Sequence, residues 1–311
     1  AEMAAQAAEG LLVSNHSYGM VVLGNDNTLS VPLYYFGAYL SGSADIDNLM
    51  YNAPYYQAVW AAGNDRDSYQ ILNPTKNGFD LLTNTSTSKN AIVVGAVFDV
   101  PSYTGASSVL MSSFSNWGPT DDRRIKPDIV SKGVSVYSAT NETDSSYQSF
   151  QGTSMAAPGV AGSLLLLQQH YNITKGNFMR ASTLRGLMIH TADEAGAAAG
   201  PDPKFGWGLM NTGRAVETIT KSASIQTIGG AYIKEYTLTQ GATITESLIS
   251  DGVNPLVVTI CWTDPAGPLS TTSVDATTAR LVNDLDVNVK KGAINNYPWT
   301  LFGAANTPLK I

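Results

Sequence analysis

The chain has 311 residues, 43% hydrophobic and 14% charged, which is enough apolar material for a full core and the length of about two domains. A net charge of −7 argues against a nucleic-acid ligand, because the few dispersed basic residues could not neutralise a phosphate backbone. The single cysteine, Cys261, excludes an internal disulfide and a thiolate zinc cluster, and no apolar run reaches the roughly 18 residues of a membrane span.

In chain order, residues 1–8 read as the tail of an Ala-rich helix, followed after Gly10 by the short apolar strand Leu11-Leu12-Val13-Ser14. No basic-then-apolar leader opens the sequence, and because the numbering begins inside a helix the natural protein is expected to begin upstream of Ala1. Residues 20–57, rich in Gly, Asn, Ser and Tyr, predict a surface excursion and the helix that backs the next strand. That strand, from Val59, stops at Gly63-Asn64. Ala91 to Val97 follows, apolar on both faces as a covered parallel sheet requires. The charged stretch Asp121-Asp122-Arg123-Arg124 reads as a solvated turn.

Val160 to Gln169 has the composition of a buried helix, and a second helix is expected from about Asn177 to Thr191. Beyond residue 220 the chain turns to Thr, Val and Ile with frequent turn residues, the mark of an all-β module. Leu256, Val258, Ile260 and Trp262 would share one strand face; Leu281, Leu285, Val287 and Val289 keep partly to another, leaving Asp284, Asp286 and Asn288 outside. Asp284 and Asp286 are candidate oxygen ligands for calcium, although a solvated strand face explains them as well.

The most informative stretch is Phe150-Gln151-Gly152-Thr153-Ser154-Met155-Ala156-Ala157-Pro158-Gly159-Val160-Ala161-Gly162. It places Ser154 at a helix N-terminus, where unpaired N–H groups and the helix dipole favour negative charge. Gly152-Thr153-Ser154 alone would be read as a capping turn. The whole stretch resembles the nucleophile segment G-T-S-M-A-x-P-x-V-A-G of the subtilisin-like serine proteases (peptidase family S8). It departs at Gly159, where the family usually carries a histidine outside the triad.

Other segments carry the same resemblance. Asn15-His16-Ser17-Tyr18-Gly19 is similar to the N-x-S-x-G end of the substrate strand, and Ala61-Ala62-Gly63-Asn64 to the A-A-G-N oxyanion segment. Ser113 to Pro119 and Lys126-Pro127-Asp128 resemble F-S-x-x-G-P and K-P-D, and Gly206 to Asn211 the G-x-G-x-[IVL]-N close of the catalytic domain. The resemblance implies an α/β fold, in part: a mostly parallel subtilisin-like sheet with helices on both faces over 1–220. An incomplete jelly-roll-like β-sandwich over 221–311 would follow, with Trp262-Thr263-Asp264-Pro265 and Leu281-Val282-Asn283-Asp284-Leu285-Asp286 as its marks.

For function, the resemblance implies peptide-bond hydrolysis through an acyl-enzyme on Ser154, with the Asn64 amide in the oxyanion hole. Ser17 and Gly19 would pair with the substrate main chain, and Ala61, Ala62, Gly63 and Thr153 would contact the substrate. His16 falls on the variable position of its segment. The chemistry needs no cofactor, a structural calcium would be an addition, and a secreted, extracellular or periplasmic location follows from the family.

One part of the machine is absent. The family's D-[ST]-G and H-G-T-H segments do not occur, and His170 and His190 lie after the serine whereas the family's base precedes it. The chain is therefore expected to be a fragment, inactive alone, whose partners are a protein or peptide substrate and the missing N-terminal segment. The competing reading is a catalytically dead homologue acting as a binding or structural module. An α/β-hydrolase is excluded, because Ala156 stands where G-x-S-x-G requires glycine.

Overall fold

The computed structural model describes residues 1–223, 230–302 and 307–310. Its centre is a four-stranded parallel sheet in the order β1 (Val13–His16), β2 (Gln57–Ala61), β3 (Ile92–Val97), β4 (Ile129–Lys132). Helices α1 (Glu2–Ala8) and α2 (Ser41–Asn52) belong to the first half of the chain, with a single turn α3 (Tyr69–Leu72) after β2. A hairpin of β5 (Val136–Ala139) and β6 (Tyr147–Phe150) leads into α4 (Thr153–Lys175), α5 (Ala181–Thr191) and α6 (Thr212–Ser222).

Strand alternation explains why the sheet is apolar on both sides. Val59, Ala61, Ile92 and Val94 face Ala156, Val160, Leu164 and Leu167 of α4, with Leu184 of α5 and Ile219 of α6 in the same cluster. Ala58, Trp60, Ala62 and Val93 point the other way, against Ile46 and Met50 of α2 with Met3 and Ala7 of α1 at the margin. Every residue of β2 and β3 is therefore buried. Lys126-Pro127-Asp128 serves this sheet rather than a ligand. Lys126 Nζ donates to the Ala91 carbonyl at 2.7 Å and pairs with Asp128, whose Oδ2 accepts from the Val93 N–H at 2.7 Å.

One expectation needs correction. Residues 121–124 are not a solvated turn: Asp121 is buried and the Asp122 side chain, paired with Arg124 at 2.8 Å, is 3% exposed. The β-sandwich expected beyond residue 220 is not seen among the described residues. Residues 230–288 contain no strand, and beyond them stand only the hairpins β7 (Val289–Lys291) with β8 (Ile294–Asn296), and β9 (Trp299–Phe302) with β10 (Thr307–Lys310). A strand exists only when a neighbour takes its backbone bonds. Leu256 to Trp262 has none, and Leu256, Val257, Val258 and Ile260 are exposed.

This segment is instead moored to the α/β unit by side chains. Arg185 Nη2 donates to the Trp262 carbonyl at 2.6 Å, and Asn90 exchanges two bonds with the Asp264 backbone, at 2.8 and 2.9 Å. Asp264 is 2% exposed and is paired with Lys89, while its carboxylate accepts from the Val282 and Asn283 N–H groups at 2.9 and 2.8 Å. The Trp-x-Asp-Pro and Leu-Val-Asn-Asp segments thus meet on one buried carboxylate.

Candidate active site

Ser154 is the second residue of α4 and half-buried. The helix can start there because Gly152 sits at φ 151°, a conformation L side chains rarely adopt, and its N–H is tied to the Gly133 carbonyl at 2.8 Å. Met155 and Ala156 return their N–H groups to the Gly152 carbonyl, at 3.0 and 3.3 Å. Among the described residues the Ser154 N–H has no acceptor, so a donor remains at the positive end of a helix of 23 residues.

Asn64 lies on the loop after β2 and supplies the second element. Its Oδ1 accepts from the Thr153 N–H at 2.7 Å and from Thr153 Oγ1 at 2.9 Å, and Thr153 Oγ1 in turn accepts from the Gly63 N–H at 3.1 Å. These bonds fix the amide: rotating it by half a turn would set its NH2 against the Thr153 N–H, donor against donor. The Asn64 NH2 is left without an acceptor among the described residues, 3.5 Å from where a Cβ on Gly152 would stand.

The Asn64 loop is itself held from behind by Asn116, which is 3% exposed. Asn116 Oδ1 accepts from the Asp65 N–H at 2.8 Å, and its Nδ2 donates to the Leu81 carbonyl at 3.1 Å and to Asp65 Oδ2 at 3.3 Å. Its N–H bonds the Gly63 carbonyl at 3.0 Å. Gly63, at φ 109°, admits no side chain, since a Cβ would stand 2.3 Å from Asn116 Nδ2.

Ser17 reaches the serine from β1's end. Its hydroxyl donates to the Ser154 carbonyl at 2.8 Å, and the Ser154 hydroxyl donates to the Ser17 carbonyl at 3.2 Å. The first bond has a cause in the sequence. Pro158 has no N–H, so the Ser154 carbonyl lacks the donor that a helix normally supplies four residues on, and Ser17 takes its place.

Of the remaining candidates, Gly19 lies beyond the end of β1 and is exposed, with no heavy atom near its Cβ direction. Ala61 and Ala62 are buried on opposite faces of the sheet, and Gly63 and Thr153 join the Asn64 network. None of the three histidines in the chain touches Ser154. His16 is 6% exposed, stacked on Trp60 and bonded to Ser14 Oγ and the Tyr18 hydroxyl. His170 bonds Thr220 Oγ1 and His190 bonds Thr259 Oγ1. Asp284 and Asp286 are both exposed, and among the described residues no group of three metal-binding side chains includes them.

Residues 1–208 match the profile of the Subtilase family, Peptidase S8, which covers the sheet, α4, α5, Asn64 and Ser154. The chain belongs to the subtilase family.

Over 68 residues this subtilase is 46% identical to the C5a peptidase of Streptococcus pyogenes serotype M18 (strain MGAS8232), covering 22% of this chain and 6% of that relative. Over 62 residues it is 42% identical to the PII-type proteinase of Lactococcus lactis subsp. cremoris, 20% of this chain and 3% of that one. The chain thus matches a small part of each curated relative. Among solved structures, the patellamide maturation protease PatA aligns with a TM-score of 0.51 at 22% identity, over 70% of this chain and 66% of that chain. The prenylagaramide maturation protease PagA aligns at 0.50 and 21%, over 70% and 65%. These structures support the parallel-sheet fold of the subtilase. No helix among the described residues is long and apolar enough to cross a membrane.

Asn116 and Pro158 are the residues of this site to which the sequence reading gave no role. Both lie inside recognisable segments, yet Asn116 acts on Asp65, 51 positions away, and Pro158 acts through Ser17, which lies 137 positions from Ser154. No local spacing signals either contact.

Proposed function

We propose that this subtilase is the serine-bearing part of an endopeptidase that cleaves peptide bonds through an acyl-enzyme on Ser154. The observation that carries the reading is the Asn64 amide, bonded through its oxygen to Thr153 and leaving its NH2 beside the start of α4. In the proposed reaction the Ser154 oxygen attacks the peptide carbonyl carbon while a base takes the hydroxyl proton. The carbonyl oxygen then carries the negative charge, with the Ser154 N–H and the Asn64 NH2 as its donors. Collapse expels the amine with the proton returned by the base, and water releases the acyl group by the same steps in reverse order.

The base and its orienting carboxylate are proposed to come from sequence outside these 311 residues. In support, the Ser154 hydroxyl here donates to the Ser17 carbonyl, an acceptor that cannot take a proton at neutral pH. The bond must be exchanged for one to a histidine before the serine becomes a nucleophile. Residues 221–311 are read as the start of an accessory β-sandwich, supported by the two segments that converge on Asp264. Secretion to an extracellular or periplasmic space is inferred from the family.

Fluorophosphonate labelling tests the proposal. The isolated chain should label slowly and the chain joined to an upstream segment bearing the Asp and His motifs should label rapidly at Ser154, with loss in Ser154→Ala. Rapid labelling of the isolated chain would refute its inactivity, and failure of the joined protein to label would favour the binding-module reading. In the joined protease, Asn64→Ala should lower turnover by about 10²- to 10³-fold, a range whose reference case is subtilisin itself.

A further inference from the structure

The segment expected to pair with the substrate main chain, Ser17 to Gly19, lies past the end of β1 and outside its ladder with β2. Among the described residues neither the Tyr18 nor the Gly19 N–H has a backbone acceptor. A segment that keeps its main-chain groups for a partner is not fixed by ladder bonds and must be fixed by side chains. Ser17 supplies one tie, through its two bonds with Ser154. The others converge on Tyr18.

Tyr18 is 62% exposed, yet it is held at both ends. Its carbonyl accepts from the Trp60 indole N–H at 2.9 Å, and its hydroxyl bonds His16 Nδ1 at 2.7 Å. The ring stands edge-on to both partners, 5.4 Å from Trp60 and 5.5 Å from His16 between centroids. His16 is in turn locked from behind. Its imidazole stacks on Trp60 at 4.2 Å, and its Nε2 bonds Ser14 Oγ at 2.6 Å, which also bonds the buried Tyr56 hydroxyl.

This chain from Tyr56 through Ser14 and His16 to Tyr18 is complete with a neutral imidazole. Ser14 has one hydroxyl hydrogen, so it donates to one neighbour and accepts from the other. If Ser14 donates to Nε2, the Nδ1–H donates to the Tyr18 oxygen; if Nε2–H donates to Ser14, Nδ1 accepts from the Tyr18 hydroxyl. Burial holds the imidazole below its ordinary range, and neither of its hydrogen-bond partners carries a charge, so the neutral form is the one that fits. An imidazole bonded at both nitrogens and stacked on a buried ring has one orientation, and it fixes the Tyr18 oxygen in turn.

We propose that His16 is a positioning residue of the substrate-binding segment: through Tyr18 it sets where the main chain of residues 17–19 stands beside Ser154. The inference rests on the reading of residues 17–19 as the strand that receives the peptide. His16 takes no part in proton transfer, because both of its nitrogens are bonded to groups other than Ser154. Its effect belongs to substrates long enough to lie along the segment.

Two measurements test this. In the isolated chain, Tyr18→Phe, an exposed change that removes only the hydroxyl, should speed hydrogen exchange of the Trp60 indole N–H about fivefold, the equilibrium worth of one net hydrogen bond. His16→Leu should do the same, and His16→Asn, whose amide can stand where Nδ1 stands, should restore most of the protection. In the joined protease, kcat/KM for a tetrapeptide ester relative to a single-residue ester should fall about 5- to 10-fold in Tyr18→Phe and His16→Leu and recover in His16→Asn. Parental exchange in both Tyr18→Phe and His16→Leu, or equal losses on the long and the short ester, would overturn the assignment. A joined protease that cleaves neither ester would refute the peptidase reading instead, and exchange in the isolated chain would still decide whether His16 holds the segment.

Discussion

Replacing Asn116 by alanine should destabilise the subtilase by about 2–4 kcal/mol, although the residue touches neither Ser154 nor substrate. The magnitude follows from what the amide leaves behind. The Leu81 carbonyl loses its buried donor and the Asp65 N–H its part-buried acceptor, bonds now at 3.1 and 2.8 Å. Each orphaned group costs about 1–3 kcal/mol, with the low end appropriate to Asp65. Asn116→Asp should be worse than Asn116→Ala, because it keeps the acceptor for Asp65 N–H yet sets a charge against the Leu81 carbonyl and Asp65 Oδ2. Urea denaturation followed by circular dichroism measures both variants. In the joined protease, loosening of the Asn64 loop should appear in kcat more than in KM. A loss under about 0.5 kcal/mol for Asn116→Ala, the size of an ordinary surface substitution, would refute the claim that this amide holds the loop.

Ser17→Ala should cost about 1 kcal/mol, the net worth of one hydrogen bond, and should cost less in a Pro158→Ala background, where an N–H at 158 can serve the Ser154 carbonyl. Equal costs in the two backgrounds on a double-mutant cycle would exclude this relation. Burial holds the His16 imidazole below its ordinary range, so the unfolded chain binds a proton that the folded chain does not. The resulting stability is complete above the unfolded value of about 6.5 and is lost as pH falls below it toward the folded value. Unfolding free energies from urea melts between about pH 7.5 and 5.5 should fall less steeply in His16→Gln, by up to about 1.4 kcal/mol per pH unit. Parallel slopes would show that His16 does not titrate differently on folding.

The sequence by itself determined the covered parallel sheet and the helix start that carries Ser154. Strands buried on both faces must be apolar throughout, as Ala58 to Ala62 and Ala91 to Val97 are, and a serine among small residues before an apolar helix is legible because the whole motif is local. Alternation from Leu256 to Trp262 was equally legible, yet that stretch forms no strand here, because alternation says which face could be buried and not whether a neighbouring strand is there to pair. Tertiary structure alone decided how Asn64 is oriented, why Ser17 answers for Pro158, what holds the loop at Asn116, and that oxygens of Asp80, Asp121 and Asp275 lie within 4.8 Å of one another. Each of these depends on side chains brought together from separate segments by the packing of the sheet and its helices. Hydrogen bonds and charges act over a few ångströms, and only the fold decides which residues come that close.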